Sequence, residues 1–289
     1  MSLDICVLGS GSGGNSTLLR TPAGCLLIDA GFGPRSTQRR LAGTGVGVEQ
    51  LRAVVLTHLD RDHFNRNWLA TLVRFGIRVH CHESCVPRVL AAALLTTSAR
   101  KLAGLPELVH GFNGQPFEPV PAVRFAPLHL AHDEAGSHGF VIASGPVRMG
   151  YATDLGRVPD ELVERFCGVD VLALESNYDP EMEQNSARPW YLKQRIMGGR
   201  GHLSNPQAFA AVTAILDRTQ ARHGPGRLPR HIVLLHRSRE CNCPALLANL
   251  FRQDPRIGDV LTLADQTEPT GWLRVGPPRA VEVQLPLLG

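Results

Sequence analysis

Short apolar runs separated by polar or glycine-rich turns recur along the whole chain. Apolar or β-branched runs predict strands, and apolar residues at helical spacing predict helices. The predicted strands are residues 4–8, 16–20, 25–29, 54–56, 78–81, 123–128, 140–143, 147–152, 169–174, 232–235, 260–263, 272–275 and 281–285. The predicted helices are residues 36–41, 67–75, 86–102, 159–166 and 206–220, the last with Asn205 as its N-cap.

The order of these elements predicts how the layers pack. Strands come first, strands then alternate with helices, and the same order follows again, which is typical of two packed sheets with helices outside. We therefore expect an α/β (α+β) fold, a four-layer αββα sandwich. We expect one domain over residues 1–289 with two pseudo-halves, roughly 1–145 and 146–289, since the linker-like residues 223–229 lie inside the second half.

Composition excludes several classes of protein. A net charge of +4 on 289 residues is not the footprint of a nucleic-acid-binding surface, and 6% aromatic residues indicate no stacking platform for single strands. Seven cysteines without framework spacing do not predict a disulfide scaffold. We find no signal peptide and no membrane span, and expect a soluble, reduced, cytoplasmic protein.

The most informative motif follows the apolar run 53–56. It reads Thr57-His58-Leu59-Asp60-Arg61-Asp62-His63, which places four metal-capable side chains within six residues. We call residues 57–63 the ligand loop. Imidazole and carboxylate together suit zinc, iron or manganese rather than calcium or magnesium.

Further metal-capable residues follow other predicted strands. His129 and His132 come after one apolar run, Asp154 after a second and His236 after a third. A lone histidine at a strand end is usually solvated, but four such places in one chain favour a convergent site. The spacing alone leaves both His129 and His132 open as ligands.

Taken together, these segments resemble the metallo-β-lactamase fold superfamily, and within it the WalJ-like (YycJ-like) exonuclease branch. The resemblance runs from about residue 3 to about residue 263. The matching segments are residues 9–16 (GSGSGGNS), 27–31 (LIDAG), 57–63 (THLDRDH), 132–133 (HD), 153–156 (TDLG), 175–177 (ESN), 201–205 (GHLSN) and 236–244 (HRSRECNCP).

The resemblance implies two divalent metal ions and hydrolysis by a hydroxide that they share. The first metal would be held by His58, Asp60 and His132, and His132 is preferred over His129 because the pair His-Asp matches the branch. The second would be held by Asp62, His63 and His236, and Asp154 would bridge the two. Asp62 would also orient the nucleophile, and Asp29 would fix the tautomer of a ligand histidine.

The chain departs from the family at position 60, where Asp60 replaces the usual histidine. The extra carboxylate adds one negative charge to the site. It therefore weakens the Lewis acidity of the metals and moves the preference from zinc toward iron or manganese. A di-iron redox protein is therefore an alternative to a hydrolase.

Two other segments carry candidate chemistry. Ser12 and Asn15 in the glycine-rich loop are candidates for substrate binding. Residues 201–205 open a helix, which favours substrate phosphate at Ser204 and Asn205, with His202 as proton donor; an exposed histidine beside an N-cap is the alternative. The histidine- and cysteine-rich residues 80–85 lack zinc-finger spacing and predict a buried strand end.

These observations predict a metallo-hydrolase, first of all a phosphodiesterase with nucleic acid as a candidate substrate. The alternatives are a hydrolase of small esters, lactones or thioesters, and the di-iron redox protein. Zinc is the first choice of metal, with iron or manganese as alternatives. No membrane partner is expected, and the sequence leaves the oligomeric state open.

Overall fold

Two seven-stranded mixed sheets form the centre of the structure, a computed structural model that describes residues 3–94 and 104–276. The first sheet has the order β14-β1-β2-β3-β4-β5-β6, with β1 to β3 antiparallel and β3 to β6 parallel. Its strands are β1 Leu3–Gly9, β2 Ser16–Thr21, β3 Gly24–Ile28, β4 Leu51–Val55, β5 Arg78–His82, β6 Val109–Phe112 and β14 Leu273–Val275.

The second sheet has the order β13-β12-β11-β10-β9-β8-β7. Strands β7 to β10 are antiparallel, whereas β10 to β13 are parallel. Its strands are β7 Phe117–Val120, β8 Val123–Leu130, β9 Ser137–Ser144, β10 Val147–Ala152, β11 Val171–Glu175, β12 His231–Leu235 and β13 Leu261–Leu263.

Eight α-helices surround the two sheets within the described residues. They are α1 Pro34–Arg40, α2 Trp68–Phe75, α3 Val86–Leu94, α4 Asp160–Arg165, α5 Pro180–Asn185, α6 Trp190–Met197, α7 Asn205–His223 and α8 Pro244–Phe251. Within residues 3–94 and 104–276, no helix is long and apolar enough to cross a bilayer. The seven cysteines are all unpaired.

The apolar alternation of the strands explains the layers. In β1, Ile5 and Val7 face the core between the sheets, while Cys6 and Leu8 face the helices on the outer side. The inter-sheet core joins β1 to residues of the second sheet such as Phe125, and a separate cluster packs the second sheet against α4, α7 and α8. The predicted four-layer αββα sandwich is confirmed.

The two sheets do not divide the chain at residue 145. The chain passes from the first sheet to the second between Phe112 and Phe117, and β14 then returns to the first sheet. Residue 145 instead lies in the hairpin between β9 and β10. Because both sheets share one core, we propose a single domain.

Several predicted elements differ in the structure. Ser204, not Asn205, caps α7, because its hydroxyl accepts from the Gln207 N–H and the Gln207 side chain accepts from the Ser204 N–H. The predicted helix 86–102 is described only to Leu94, and the predicted strand 281–285 lies outside the described residues. Strands β6 and β7 and helices α5, α6 and α8 were not predicted.

Gly31 allows a close backbone approach that positions the ligand loop. A Cβ atom at this position would lie 1.9 Å from the Asp62 carbonyl oxygen. We expect Gly31→Ala to lower the free energy of unfolding by about 1–3 kcal/mol, the usual cost of overpacking. Urea unfolding measures this change in free energy. Gly226→Ala is the matched control, since nothing lies within 4 Å of its added Cβ. Equal stability of the two variants would contradict a close contact between Gly31 and the Asp62 backbone.

Candidate metal centre

The predicted ligands meet at one edge of the sandwich, where the strands deliver them. The ligand loop follows β4, His132 follows β8, Asp154 follows β10 and His236 follows β12 directly. Parallel strands β10 to β12 place their carboxyl ends at one edge, as open α/β sheets do at their binding crevices. The structure thus brings all seven predicted ligands together.

Left-handed backbone conformations occur at three polar residues of the candidate centre. Asp29, Asp154 and His236 have φ values of 61°, 52° and 52°. Each lies within two residues of a strand end, so the chain turns sharply as soon as it leaves the sheet. Asp and His are among the residues that tolerate this conformation, and such strain concentrates at functional sites.

The four ligand histidines share one orientation, in which Nδ1 is held from outside and Nε2 faces the cleft. The Nδ1 atom of His63 lies 2.8 Å from an Asp29 carboxylate oxygen, and that of His132 lies 3.0 Å from the Gly201 carbonyl oxygen. Acceptors of this kind hold a proton on Nδ1, which leaves Nε2 as the ligand atom.

The other two histidines follow the same rule. His58 Nδ1 lies 2.9 Å from the Thr57 hydroxyl oxygen, and His236 Nδ1 lies 3.1 Å from the carboxylate of Glu175. His58 Nε2 is buried and has no hydrogen-bond partner within the described part of the chain. An unsatisfied buried nitrogen needs an explanation, and a bound cation supplies one.

Three carboxylates complete the donor set. An Asp154 carboxylate oxygen lies 2.8 Å from His63 Nε2, and the other lies 3.8 Å from His132 Nε2. Asp62 lies 3.3 Å from His236 Nε2. Asp60 lies 3.7 Å from His58 Nε2 and is half exposed.

The donor atoms form groups whose members lie within 4.8 Å of one another. One group contains His58, Asp60 and His132, and a second contains Asp62, His63 and His236. A third joins His58 and His63, one residue from each of these groups, to Asp154, and a fourth contains Asp154, Glu175, His202 and His236. Asp154 therefore lies where a carboxylate can serve two neighbouring cations, and this mixed nitrogen and oxygen set suits divalent transition metals.

The close packing of these charged groups shifts the pKa values of three ligand histidines. Burial alone would lower the pKa of His63, but the charges of Asp154 and Asp29 hold that pKa well above its usual value. The pKa of His236 rises to about 10 against burial, because Asp154, Asp62 and Glu175 surround it. Burial and the neighbouring His63 instead lower the pKa of His58 well below its usual value.

Asp29 has the position expected for a residue that fixes a ligand tautomer. It is fully buried, and besides His63 it accepts hydrogen bonds from the Thr57 backbone N–H at 2.8 Å and from the Thr57 hydroxyl at 2.9 Å. Burial raises the pKa of Asp29, although His63 and Thr57 act in the opposite direction. One carboxylate therefore orients His63 and anchors the start of the ligand loop.

His202 lies in the cleft and is not an exposed cap. Its Nδ1 atom lies 2.7 Å from the Glu175 carboxylate, and its side chain is 20% exposed. The other Glu175 oxygen accepts from the Leu155 N–H at 3.0 Å. Sequence reasoning assigned no role to Glu175, although a carboxylate that ends the apolar strand β11 was a signal for one.

Other predicted site residues have different surroundings. Ser12 is exposed and lines the cleft. Asn15 is buried. Its side-chain oxygen accepts a hydrogen bond from the Gly11 N–H, and its side-chain nitrogen donates to the Gly11 carbonyl and lies 2.9 Å from His63 Nε2. Ser204 caps α7, and the buried Asn205 accepts from Ser176 and from Asn242. These bonds give Asn15, Ser204 and Asn205 structural roles, and their contact with substrate stays a prediction.

Five other histidines belong to none of the candidate donor groups within the described residues, although two of them, His82 and His138, line a small pocket with His58. His129, the alternative to His132, is exposed and packs against His138 at 5.5 Å between ring centroids. His80 stacks on His110 and His82 on His138. Within residues 3–94 and 104–276, none of the four possible metal-binding groups includes residues 80–85.

The cleft is a cavity of about 490 Å³ with mostly charged or polar walls. Ligand residues form its floor, while Arg188, Glu240 and one side of α6 form its rim. Such a surface suits a polar substrate better than an apolar one, and because its carboxylates outnumber its arginines, an anionic substrate would need bound cations there.

Comparison with known proteins agrees with this geometry. Exodeoxyribonuclease YycJ of Bacillus anthracis is 24% identical over 248 residues, which is 85% of this chain and 86% of that protein. Exodeoxyribonuclease WalJ of Streptococcus pneumoniae is 27% identical over 243 residues, or 83% of each protein. The predicted resemblance to this branch is confirmed.

Solved structures show the same fold. The metallo-β-lactamase fold protein YhfI from Bacillus subtilis has a TM-score of 0.67 at 16% identity and covers 95% of this chain and 100% of its own. Zinc-bound PqqB from Methylobacterium extorquens has a TM-score of 0.59 at 18% identity, with coverage of 95% and 100%. The diiron β-hydroxylase CmlA from Streptomyces venezuelae has 0.58 at 15%, with coverage of 94% and 54%.

The family model of the β-lactamase superfamily domain matches residues 25–223, a segment that holds all predicted ligands except His236. The match spans more than half of the chain, and the fold and the position of the cleft agree with it. The chain belongs to the β-lactamase superfamily.

Proposed function

We propose that this protein is a metal-dependent phosphodiesterase that acts on DNA. The observation that carries the proposal is the convergence of four histidine Nε2 edges and three carboxylates on one polar cleft. The names of two relatives that match over most of their length, both exodeoxyribonucleases, support DNA as the substrate.

Two divalent cations fit the donor groups. His58, Asp60 and His132 would hold one, Asp62, His63 and His236 the other, and Asp154 would be shared. Zinc is our first assignment, with iron or manganese as alternatives. When bound, such ions lower the pKa of water and neutralise charge on a phosphate.

Three residues of the chain have separate roles in the proposed reaction. His202 is held through Nδ1 by Glu175, so its Nε2 can give a proton to the leaving oxygen. Asp62, which borders the cavity, orients the attacking water. Asp29 keeps the proton of His63 on Nδ1 and so keeps Nε2 free for a cation.

Removing a ligand tests the proposal most directly. We expect His58→Ala and Asp62→Ala each to lower cleavage of labelled single- and double-stranded DNA, and of a chromogenic phosphodiester, by more than the 10–100-fold typical of residues that only support a ligand. Metal content should fall in parallel. His129→Ala, an exposed histidine outside the donor groups, is the control. Metal-independent cleavage, or none by the wild type, would refute the proposal.

A leaving-group comparison tests His202. General acids contribute about 10²–10⁴-fold when the leaving group needs a proton. We therefore expect His202→Ala to slow DNA cleavage by this factor, yet to change hydrolysis of a p-nitrophenyl phosphodiester far less, because that leaving group departs without a proton. Glu175→Gln should give a weaker form of the same pattern. Equal loss on both substrates, with metal retained, would contradict the proton-donor role.

Asp60 favours a second candidate function, a di-iron redox protein. Its carboxylate supplies an oxygen donor beside His58 where the family usually has histidine. We expect Asp60→His to raise the ratio of zinc to iron in protein purified without chelator, because imidazole replaces a harder oxygen ligand. Elemental analysis measures the ratio, with Asp179→Asn, a helix-cap carboxylate outside the donor groups, as control. Two irons and a visible absorption band in the wild type would favour the redox protein over the hydrolase.

A further inference from the structure

Two adjacent aromatic side chains are exposed beside the cleft. Trp190 is 66% exposed and Tyr191 is 73% exposed, whereas Trp68 and Tyr151 are fully buried. The sequence has only three tryptophans and three tyrosines, so its overall aromatic content does not indicate that two of them are exposed side by side. Large aromatic surfaces left in water next to a polar site are typical of a binding surface.

The aromatic pair begins α6, the helix that forms one wall of the cleft. Leu192, Arg195 and Ile196 line the cavity from one side of α6. Tyr191 precedes Arg195 by one turn, so it lies at the edge of that side, and Trp190 lies farther round the helix, away from the cavity. Tyr191 therefore lies between Trp190 and the cavity-lining residues on the surface of α6.

The same segment is basic. Residues 187–200 contain Arg188, Lys193, Arg195 and Arg200 and no acidic residue. Lys193 and Arg200 form no ion pair with any residue in the described ranges, while Arg195 forms a bidentate pair with Asp133. This pair uses two of the five N–H donors of the guanidinium, so the remaining donors can contact a phosphate.

We propose that α6 binds single-stranded DNA and feeds the strand into the metal cleft. Bases stack on Trp190 and Tyr191, while Lys193 and Arg195 contact the phosphates. Stacking requires free base faces, which a single strand offers and a duplex hides. This inference rests on the proposed function, because it names the form of DNA that the cleft receives.

Binding without catalysis provides the first test. In the presence of EDTA, fluorescence anisotropy with a labelled oligodeoxythymidylate should show that the double variant Trp190→Ala, Tyr191→Ala binds about 10- to 100-fold more weakly than the wild type. The conservative variant Trp190→Phe, Tyr191→Phe should restore most of the affinity, because phenylalanine also stacks. Single-stranded DNA should quench the wild-type tryptophan fluorescence, and Trp190→Phe should abolish this quenching.

Catalysis provides the second test. The kcat/KM for single-stranded DNA should fall with the affinity in the double alanine variant, whereas turnover of the chromogenic phosphodiester, too small to reach Trp190 and Tyr191 from the cleft, should not change. Phe75→Ala, another exposed aromatic, is the matched control. If the wild type hydrolyses no phosphodiester but still binds through Trp190 and Tyr191, the proposed function fails and the binding inference stands.

Three results would overturn the inference. The double alanine variant could bind the oligonucleotide like the wild type, or it could lose affinity for duplex and single strand equally. It could also convert a wild-type dimer to a monomer without any change in DNA binding, which would make the aromatic pair a protein interface. An RNA oligonucleotide of matched sequence, bound more tightly than the DNA, would overturn the assignment to DNA.

Discussion

His63 lies between two buried carboxylates, and this arrangement joins the two sheets. Asp29 follows β3 of the first sheet and holds Nδ1 at 2.8 Å, while Asp154 follows β10 of the second sheet and lies 2.8 Å from Nε2. Each carboxylate would be costly to bury without this partner. The other predicted ligands surround this Asp29–His63–Asp154 series. The same buried contacts therefore hold the two sheets together and position the candidate metal centre.

Much of this arrangement followed from local patterns in the sequence. The apolar runs of the central strands fixed the two-sheet core, and polar residues directly after those runs identified His58, Asp154 and His236. This works because a buried strand needs apolar residues, so a metal-capable side chain at its end stands out. The resemblance to a known family then sorted the ligands into two groups.

The remainder depended on contacts between distant parts of the chain. No local sequence pattern shows that the Asn15 side chain hydrogen-bonds Gly11, or that Ser204 rather than Asn205 caps α7. Glu175 stands out as a carboxylate at the end of an apolar strand, but only the structure shows that His202 and His236 share it. Helix α6 was missed because its exposed aromatics and cavity-lining residues do not give the usual apolar stripe.

The pairing of β14 with β1 has a consequence for the newly made chain. Leu3 pairs with Val275, so the first sheet gains its outer strand only after residues 273–275 have left the ribosome. His236 likewise emerges long after His58. Contacts so distant in sequence slow folding and leave an unpaired strand available to other chains. The donor group of His58, Asp60 and His132 is complete once residue 132 has been made, whereas a nascent chain halted before residue 236 lacks a ligand of the second group.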